Sequence, residues 1–534
     1  LAVIMKASSY FDDSFGLSGS FDTWTQAYAR GTVSGYAGSA GYHELHFKSN
    51  AVIADDADIQ LSPGSGSASD TNTVKVAATV KNDAVQVNGN FNPPGFRLGS
   101  DAGGTTNQGM SKAMSSHYSN AFSSIKNTRV KGLGADKDSK SAKAVGAAFN
   151  ITDAVSEARA KVGKAKIVAH NLDVSSKNTG HHVVPVAGGG KANDIAINGS
   201  WNHISLGSKA YSTIDARADI DLSNNLIIDA DETAVAVAIA GAIPISDGSA
   251  AVGLSGVTIF TDRVANSVIT SAETGVQGTH DWVVTGKVSL TAKSSGPTIQ
   301  AAIAAAVVTK PSPASAASGS PTAAGAASGS GGIAGVAAQA SQSKGGFGIS
   351  GSATSFRDRV DVSAKVEDLK KLKADNGVSL SALDEGVHIQ VAGAGAVSLQ
   401  DQGVGIAGAI TVVDAVKTIA AEYLAGDGPS ELNTNKLEIL AKDRSTYVSL
   451  AAGLAASPTG KLAVSGSIAV AVSNTTVRAG VRGSSSSNRV SFSNTGMQLS
   501  VVSLNDASYV QIAGSIAYGG KMGVGAGLGV ANIT

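Results

Sequence analysis

Apolar and polar residues alternate along most of this chain in short runs. The clearest run has an apolar residue at its first and third places and a small residue at its fifth. It appears from Val3 to Ala7, Val74 to Ala78, Leu172 to Ser176 and Leu226 to Ala230. It returns from Val288 to Ala292, Val378 to Ala382, Leu437 to Ala441 and Met497 to Val501. A period of two puts successive side chains on opposite faces, which predicts strands and not helices. Four of the seven intervals between successive starts lie close to 60 residues, and the two longest contain an insertion, which is the spacing of a structural repeat.

The rest of the unit recurs too. A second extended stretch follows each anchor, as at 298–304, 388–394, 447–452 and 509–516. A glycine-bearing turn and a Gly/Ala-rich strand come next, at 250–259, 345–353, 403–412, 461–472 and 521–533. Polar bends are expected at Asp153, Asp262, Asp358 and Asp414. Several strands per unit, with few helices between them, predict a solenoid and not a βαβ array.

The last copy of the Gly/Ala strand reads GVGAGLGVANIT, with glycine at 523, 525, 527 and 529. A phosphate-binding loop would need GxGxxG or a following Lys-Ser/Thr between a strand and a helix, and neither is present. Strict alternation instead implies close approach of a neighbouring backbone.

Composition supports thin layers. The 534 residues include 64 Gly and no Cys; aromatics are 5% and hydrophobics 43%. Charged residues are 15%, below the usual share of about 25%. The core must therefore be built mostly from small and β-branched side chains. Lys plus Arg equals Asp plus Glu at 41 each, so no global basic field points to nucleic acid. Cys-ligated zinc and disulfides are excluded. No stretch reaches the roughly 20 apolar residues of a membrane span. The start LAVIMKASSY is strand-like and has no initiating Met, as expected of a fragment or processed piece.

The Gly/Ala strands, followed by VSLTA-like anchors, resemble the repeats of large secreted bacterial exoproteins. Leukotoxin-like filamentous adhesins and two-partner-secretion haemagglutinin-like proteins carry such units. Residues 144–176, AVGAAFNITDAVSEARAKVGKAKIVAHNLDVSS, resemble one full unit. The resemblance covers 144–534 well and 1–143 less well. It implies an all-β, right-handed parallel β-helix with surface insertions. It also implies an extracellular or bacterial cell-surface location and a role in adhesion or filament formation. It carries over no catalytic residue.

The expected organisation is solenoid coils over 1–90, an insertion with a short helix at 91–143, and solenoid repeats over 144–308. A low-complexity loop at 309–332 and further repeats over 333–534 complete it. Coils of roughly 20 residues would give about 25 turns and a rod on the order of 100 Å or more. Met110, Met114, Tyr118 and Phe122 lie four apart, a helical spacing inside the first insertion. VEDLKKLKADNG, 366–377, is expected as a second short helix ending at Gly377.

Candidate chemistry is sparse. Adjacent His181 and His182 would point to opposite faces of a strand, so they read as turn residues and not as a metal pair. Asp55, Asp56 and Asp58 offer oxygen ligands for calcium but lack a calcium-loop pattern. Asp229, Asp231 and Glu232 are the carboxylates from which a glycoside hydrolase would be built. Polar edge residues that discourage aggregation are the preferred reading of them. The reading is a non-enzymatic structural or adhesive rod with no catalytic, cofactor or metal site. Its expected partners are copies of itself, neighbouring repeats, or a cell surface or glycan. A β-helix polysaccharide lyase or hydrolase is the main alternative, and the scaffold of a secreted toxin is another. With 3 Trp and 10 Tyr scattered along the chain, a long sugar-stacking cleft is not expected.

Overall fold

The computed structural model describes residues 3–10, 20–26, 34–61, 72–89, 143–271, 276–309, 345–426, 428–483 and 485–534. Every regular element among them is a β-strand. The strands form three sheets, and each turn of the chain adds one level to all three. One complete coil shows the plan. Leu226–Ser246 is a 21-residue strand in the first sheet. Ala250–Thr270, also 21 residues, lies in the second sheet. Asp281–Val284, 4 residues, lies in the third. The chain then re-enters the first sheet at Val288–Val308. All pairings between coils are parallel, so the molecule is a parallel β-solenoid.

The anchors are the register marks of the first sheet. Val3 pairs with Val74, Val74 with Leu172, and Leu172 with Leu226. Leu226 pairs with Val288, Val288 with Val378, and Val378 with Leu437. At the last step Leu437 pairs with Leu499 and not with Met497, so the eighth anchor lies two residues later than the alternation suggested. The slip keeps the same face inward, because the side-chain period is two.

The anchor interval is therefore one whole coil, not three. The second sheet has eight strands. At about 4.8 Å per level the stack is about 35 Å high, whereas a 21-residue strand spans about 70 Å. This replaces the expected rod of 20-residue coils with a broad, low stack. In the coils from Thr73 to Ser398 the expected anchor and second strand are fused into one long strand, and in the last two coils it is divided at Asp443–Thr446 and Asn505–Ser508. The Asp bends are absent as well. Asp153, Asp262, Asp358 and Asp414 all lie inside long strands of the second sheet. Alternation does not reveal strand length when both sides of a polar position keep the same parity.

The helix expected at 366–377 is also corrected. Lys371–Ala374 is a strand of the third sheet, with Leu372 and Ala374 inward. Gly377 closes no helix; it sits in a turn with φ of 106°, a conformation that favours glycine. The expected helix around Met110 to Phe122 and the low-complexity stretch at 309–332 fall outside the described residues, apart from Thr309. The strands flanking both insertions fix their places in the chain order of the coil. Each joins the end of a first-sheet strand, at Gly89 or Val308, to the start of a second-sheet strand, at Lys143 or Phe347.

The interior changes along the strands. Where the third sheet closes the coil, the core is Leu, Ile and Val with Trp282, whose indole N–H donates to the Ala218 carbonyl at 2.8 Å. At the opposite end the first and second sheets face each other through Ala392, Ala394, Ala396, Ala407, Ala409, Ala451 and Ala463. The alternating glycines of the last strand face inward there. A Cβ on Gly523 would lie 2.7 Å from the Ala517 carbonyl oxygen, and one on Gly527 2.8 Å from that of Ala513. Alternate glycine thus lets two sheets meet backbone to backbone.

Candidate functional site

Between the two ends, the interior holds a row of charged side chains. They come from inward positions of both long sheets. Arg263 lies on Ala250–Thr270, Asp358 on Phe347–Val366 and Lys417 on Val404–Leu424, all in the second sheet. Asp384 lies on Val378–Ser398 and Asp443 on Lys436–Asp443 in the first sheet. All five side chains are at most 1% exposed.

Arg263 holds Asp358 in a fork: Nε donates to Oδ1 at 3.2 Å and Nη2 to Oδ2 at 2.9 Å. Its Nη1 donates to Asp384 at 3.3 Å and to Ser294 Oγ at 3.0 Å. Ser294 in turn donates to Glu232 at 2.7 Å. Asp358 also accepts from Thr261 at 2.6 Å and from the Tyr447 hydroxyl at 2.8 Å. Lys417 Nζ donates to Asp384 at 3.1 Å and to both oxygens of Asp443 at 3.1 and 3.0 Å, and it contacts Ser445. The Ser445 amide donates to Asp443 Oδ1 at 2.9 Å, a local turn that coincides with the break in the first-sheet strand. Phe356, His388, Tyr447 and Tyr509 stack beside the row, with centroids 4.5 to 4.9 Å apart between neighbours.

Burial and pairing set the charge states. Burial works against the Arg263 charge, but Asp358, Asp384 and Glu232 outweigh it and keep the guanidinium ionised. Burial opposes the Lys417 ammonium in the same way, and Asp384 and Asp443 outweigh it. Asp358 is held below the usual carboxylate range: burial alone would raise it, and the Arg263 charge and its hydrogen bonds reverse that. Glu232 is pushed up to about 7 by burial, with Arg263 and Ser294 only partly opposing. His388 falls to about 3 and His182 to about 4, both chiefly through burial, so both imidazoles are neutral at pH 7. Buried charges left unpaired are strongly unfavourable, and here each charge has a partner of opposite sign.

The residues singled out from sequence do not converge. His182 points inward beside Asn82 at 3.3 Å, whereas His181 points outward and meets Asp83 at 2.6 Å. The adjacent pair is split across the sheet. Asp55 accepts the Lys164 amide at 2.8 Å in a turn where Asp56 has φ of 61°. Asp229 and Asp231 face outward on the first sheet, and Asp231 pairs with Lys177 on the neighbouring coil at 3.5 Å. Asp229 is raised by burial and then by Asp231 and Asp173. Glu232, next in sequence, faces the interior, so it cannot act with Asp231 on one substrate. Among the described residues, no group of three or more His, Asp or Glu is placed to hold a metal ion. No helix there is long and apolar enough to cross a membrane.

The outer face of the second sheet carries a different feature. Tyr36, Tyr42, Phe149 and Trp201 are 67%, 66%, 50% and 43% exposed. Phe149 and Trp201 are register partners on adjacent coils. Gly256, the next partner of Trp201, leaves room for the indole: a Cβ there would lie 2.2 Å from Cε3. The sheet pattern missed this row because these aromatics sit on the parity that faces water. Arg263, Asp384, Lys417 and Asp443 were missed for the converse reason. Charged residues on the inward parity were the available signal, hidden by the expectation of bends near them. No family model, curated protein or solved structure matches the chain.

Proposed function

We propose that this chain is a structural and adhesive segment of a large secreted or cell-surface bacterial exoprotein. The observation that carries the reading is continuity. Among the described residues, three parallel sheets keep one register from coil to coil, and the interior is lined by buried side chains along the length of the long strands. The carboxylates that would serve a hydrolase are divided between an outer ion-paired face and a sealed interior. Such a stack offers broad faces and extends coil by coil. Adhesion then falls to the outer faces and to the insertions, where binding groups on a rigid scaffold usually sit. The exposed aromatics Tyr36, Tyr42, Phe149 and Trp201 suit stacking on sugar rings or on a second copy.

The test is direct. The purified chain is screened for glycan cleavage, for binding to cells and glycans, and for self-association. Binding without turnover, weakened in Trp201→Ala or on deletion of 91–143, is the expected result. Glycan turnover abolished by Asp229→Asn or Asp231→Asn would overturn the reading in favour of the polysaccharide-acting enzyme.

A further inference from the structure

The Lys417–Asp443 contact has the requirements of an amide-forming site. Nζ is 3.1 and 3.0 Å from the two carboxylate oxygens. The nitrogen is thus nearly equidistant from the two oxygens and in direct contact with the carboxyl group that it would attack. Both side chains are 0% exposed, so bulk water is excluded from the contact. Asp384 lies 3.1 Å from the same nitrogen and is itself fully buried, which supplies a second carboxylate as proton relay. The Tyr447 ring, 5.0 Å from Nζ, walls the other side. An ammonium and a carboxylate buried together are costly, and a neutral amide in the same place is not.

We propose that Lys417 and Asp443 condense into an intramolecular isopeptide bond. The Lys417 ammonium passes a proton to Asp384, and the freed lone pair attacks Cγ of Asp443. The C–N bond forms as one C–O bond breaks. Two of the three ammonium protons leave with that oxygen as water, one of them relayed by Asp384, which returns to its starting state. An ammonium and a carboxylate become an amide and water, with no oxidant, reductant or co-reactant. The bond ties Val404–Leu424 of one coil, in the second sheet, to Lys436–Asp443 of the next, in the first. It staples two coils across the interior.

The experiment is intact-mass spectrometry of the purified full chain under denaturing conditions, followed by tryptic mapping. The expected mass is one water below that of the sequence. The map should show a branched peptide joining Lys417 to Asp443, with no cleavage after Lys417. Lys417→Met and Asp443→Ala should each restore the full mass of their own sequences. Asp384→Asn should leave most chains unlinked, which separates a relay from a bystander. Full mass in the wild-type chain with normal cleavage after Lys417 overturns the proposal, and so does a lost water that maps elsewhere. The wild-type measurement decides this even if a variant fails to fold, and it is independent of whether the chain is adhesive.

Discussion

The two ends of each coil solve the same packing problem with different residues. Near the third sheet the interior is wide and takes Trp282, Leu290, Ile220 and Tyr423, all fully buried or nearly so. At the far end the sheets are held apart by little more than Ala, Ser and Gly. There Ser350 Oγ on the second sheet donates to the Ala304 carbonyl on the first at 2.8 Å. Side-chain size along one strand therefore sets the thickness of the stack at each point. A flattened triangle results, because only one end has a third sheet to fill. The ion row lies where the interior changes from one regime to the other, and it couples both sheets through directed contacts that apolar packing does not supply.

The largest effect is expected from breaking that junction. Asp358→Ala would leave Arg263 buried without its forked partner, and Tyr447 without its acceptor. A loss of about 3–5 kcal/mol is expected, measured as a lower urea midpoint. A midpoint close to the parent's would mean that the row adds nothing to cohesion.

Acid should strike the same region. His182 is lowered to about 4 and His388 to about 3 by burial, from an unfolded value near 6.5. Below pH 6.5 the unfolded chain therefore binds more protons than the native one, and stability falls as pH drops through that window. For His182 alone the loss approaches about 3 kcal/mol by pH 4. Glu232, raised to about 7, works in the opposite sense. Its native state holds a proton that the unfolded state releases above pH 4.5, so it lowers stability as pH rises from 4.5 to 7. Glu232→Gln should thus steepen the acid loss between pH 4.5 and 6.5 and raise stability at pH 8. Denaturant midpoints of both chains from pH 4 to 8 provide the check.

Added volume tests the width difference itself. Gly253→Val at the narrow end would place Cβ 2.8 Å from the Ala305 carbonyl and 3.2 Å from that of Ala242. A cost of about 1–3 kcal/mol is expected, because backbone has little room to yield. The single methylene added at the wide end by Val362→Ile should cost less than Gly253→Val, at the lower end of about 1–3 kcal/mol. Ala382→Trp, fully buried among the anchors, should overpack even the wide end. If Gly253→Val and Val362→Ile melt alike, side-chain size does not set the local thickness.

The repeat was legible because anchors recur on a small scale: Val or Leu, then Leu, Ile or Val, then a small residue, each inward. The close glycine packing was legible for the same reason. Coil length was not. A period of two looks the same in a 5-residue and a 21-residue strand, so polar positions such as Asp262, Asp358 and Asp414 resemble corners in the sequence although they lie inside strands. Asp358 instead faces inward to Arg263, while Asp414 faces outward to Arg359 at 2.8 Å. The ion row needs partners from five different strands, and nothing in one sequence pairs Arg263 with Asp384 or Lys417 with Asp443 until the coil length is known. Strand parity puts His181 and His182 on opposite faces, but it does not reveal that they lie inside the long strand Asn171–Ala192 and not in a turn.

The smallest effect is expected on the outer face of the first sheet. Lys177 and Asp231 are 3.5 Å apart, but their side chains are 61% and 30% exposed. Lys75 with Asp173 at 3.0 Å and Lys293 with Glu385 at 2.8 Å repeat the arrangement on other coils. Each pair bridges neighbouring levels, as the ion row does, yet water screens it and the side chains must be ordered to make it. Lys177→Ala should therefore shift stability by no more than about 0.2–1 kcal/mol. The shift should shrink further in 1 M salt, where screening acts over about 3 Å. Asp358→Ala should keep its full cost at that salt concentration, because its partners are sealed from solvent ions. Parallel urea titrations of the two variants at low and high salt measure the contrast. Equal salt sensitivity would mean that the interior row is reached by water, and that would remove the physical distinction between the inside of the stack and its faces.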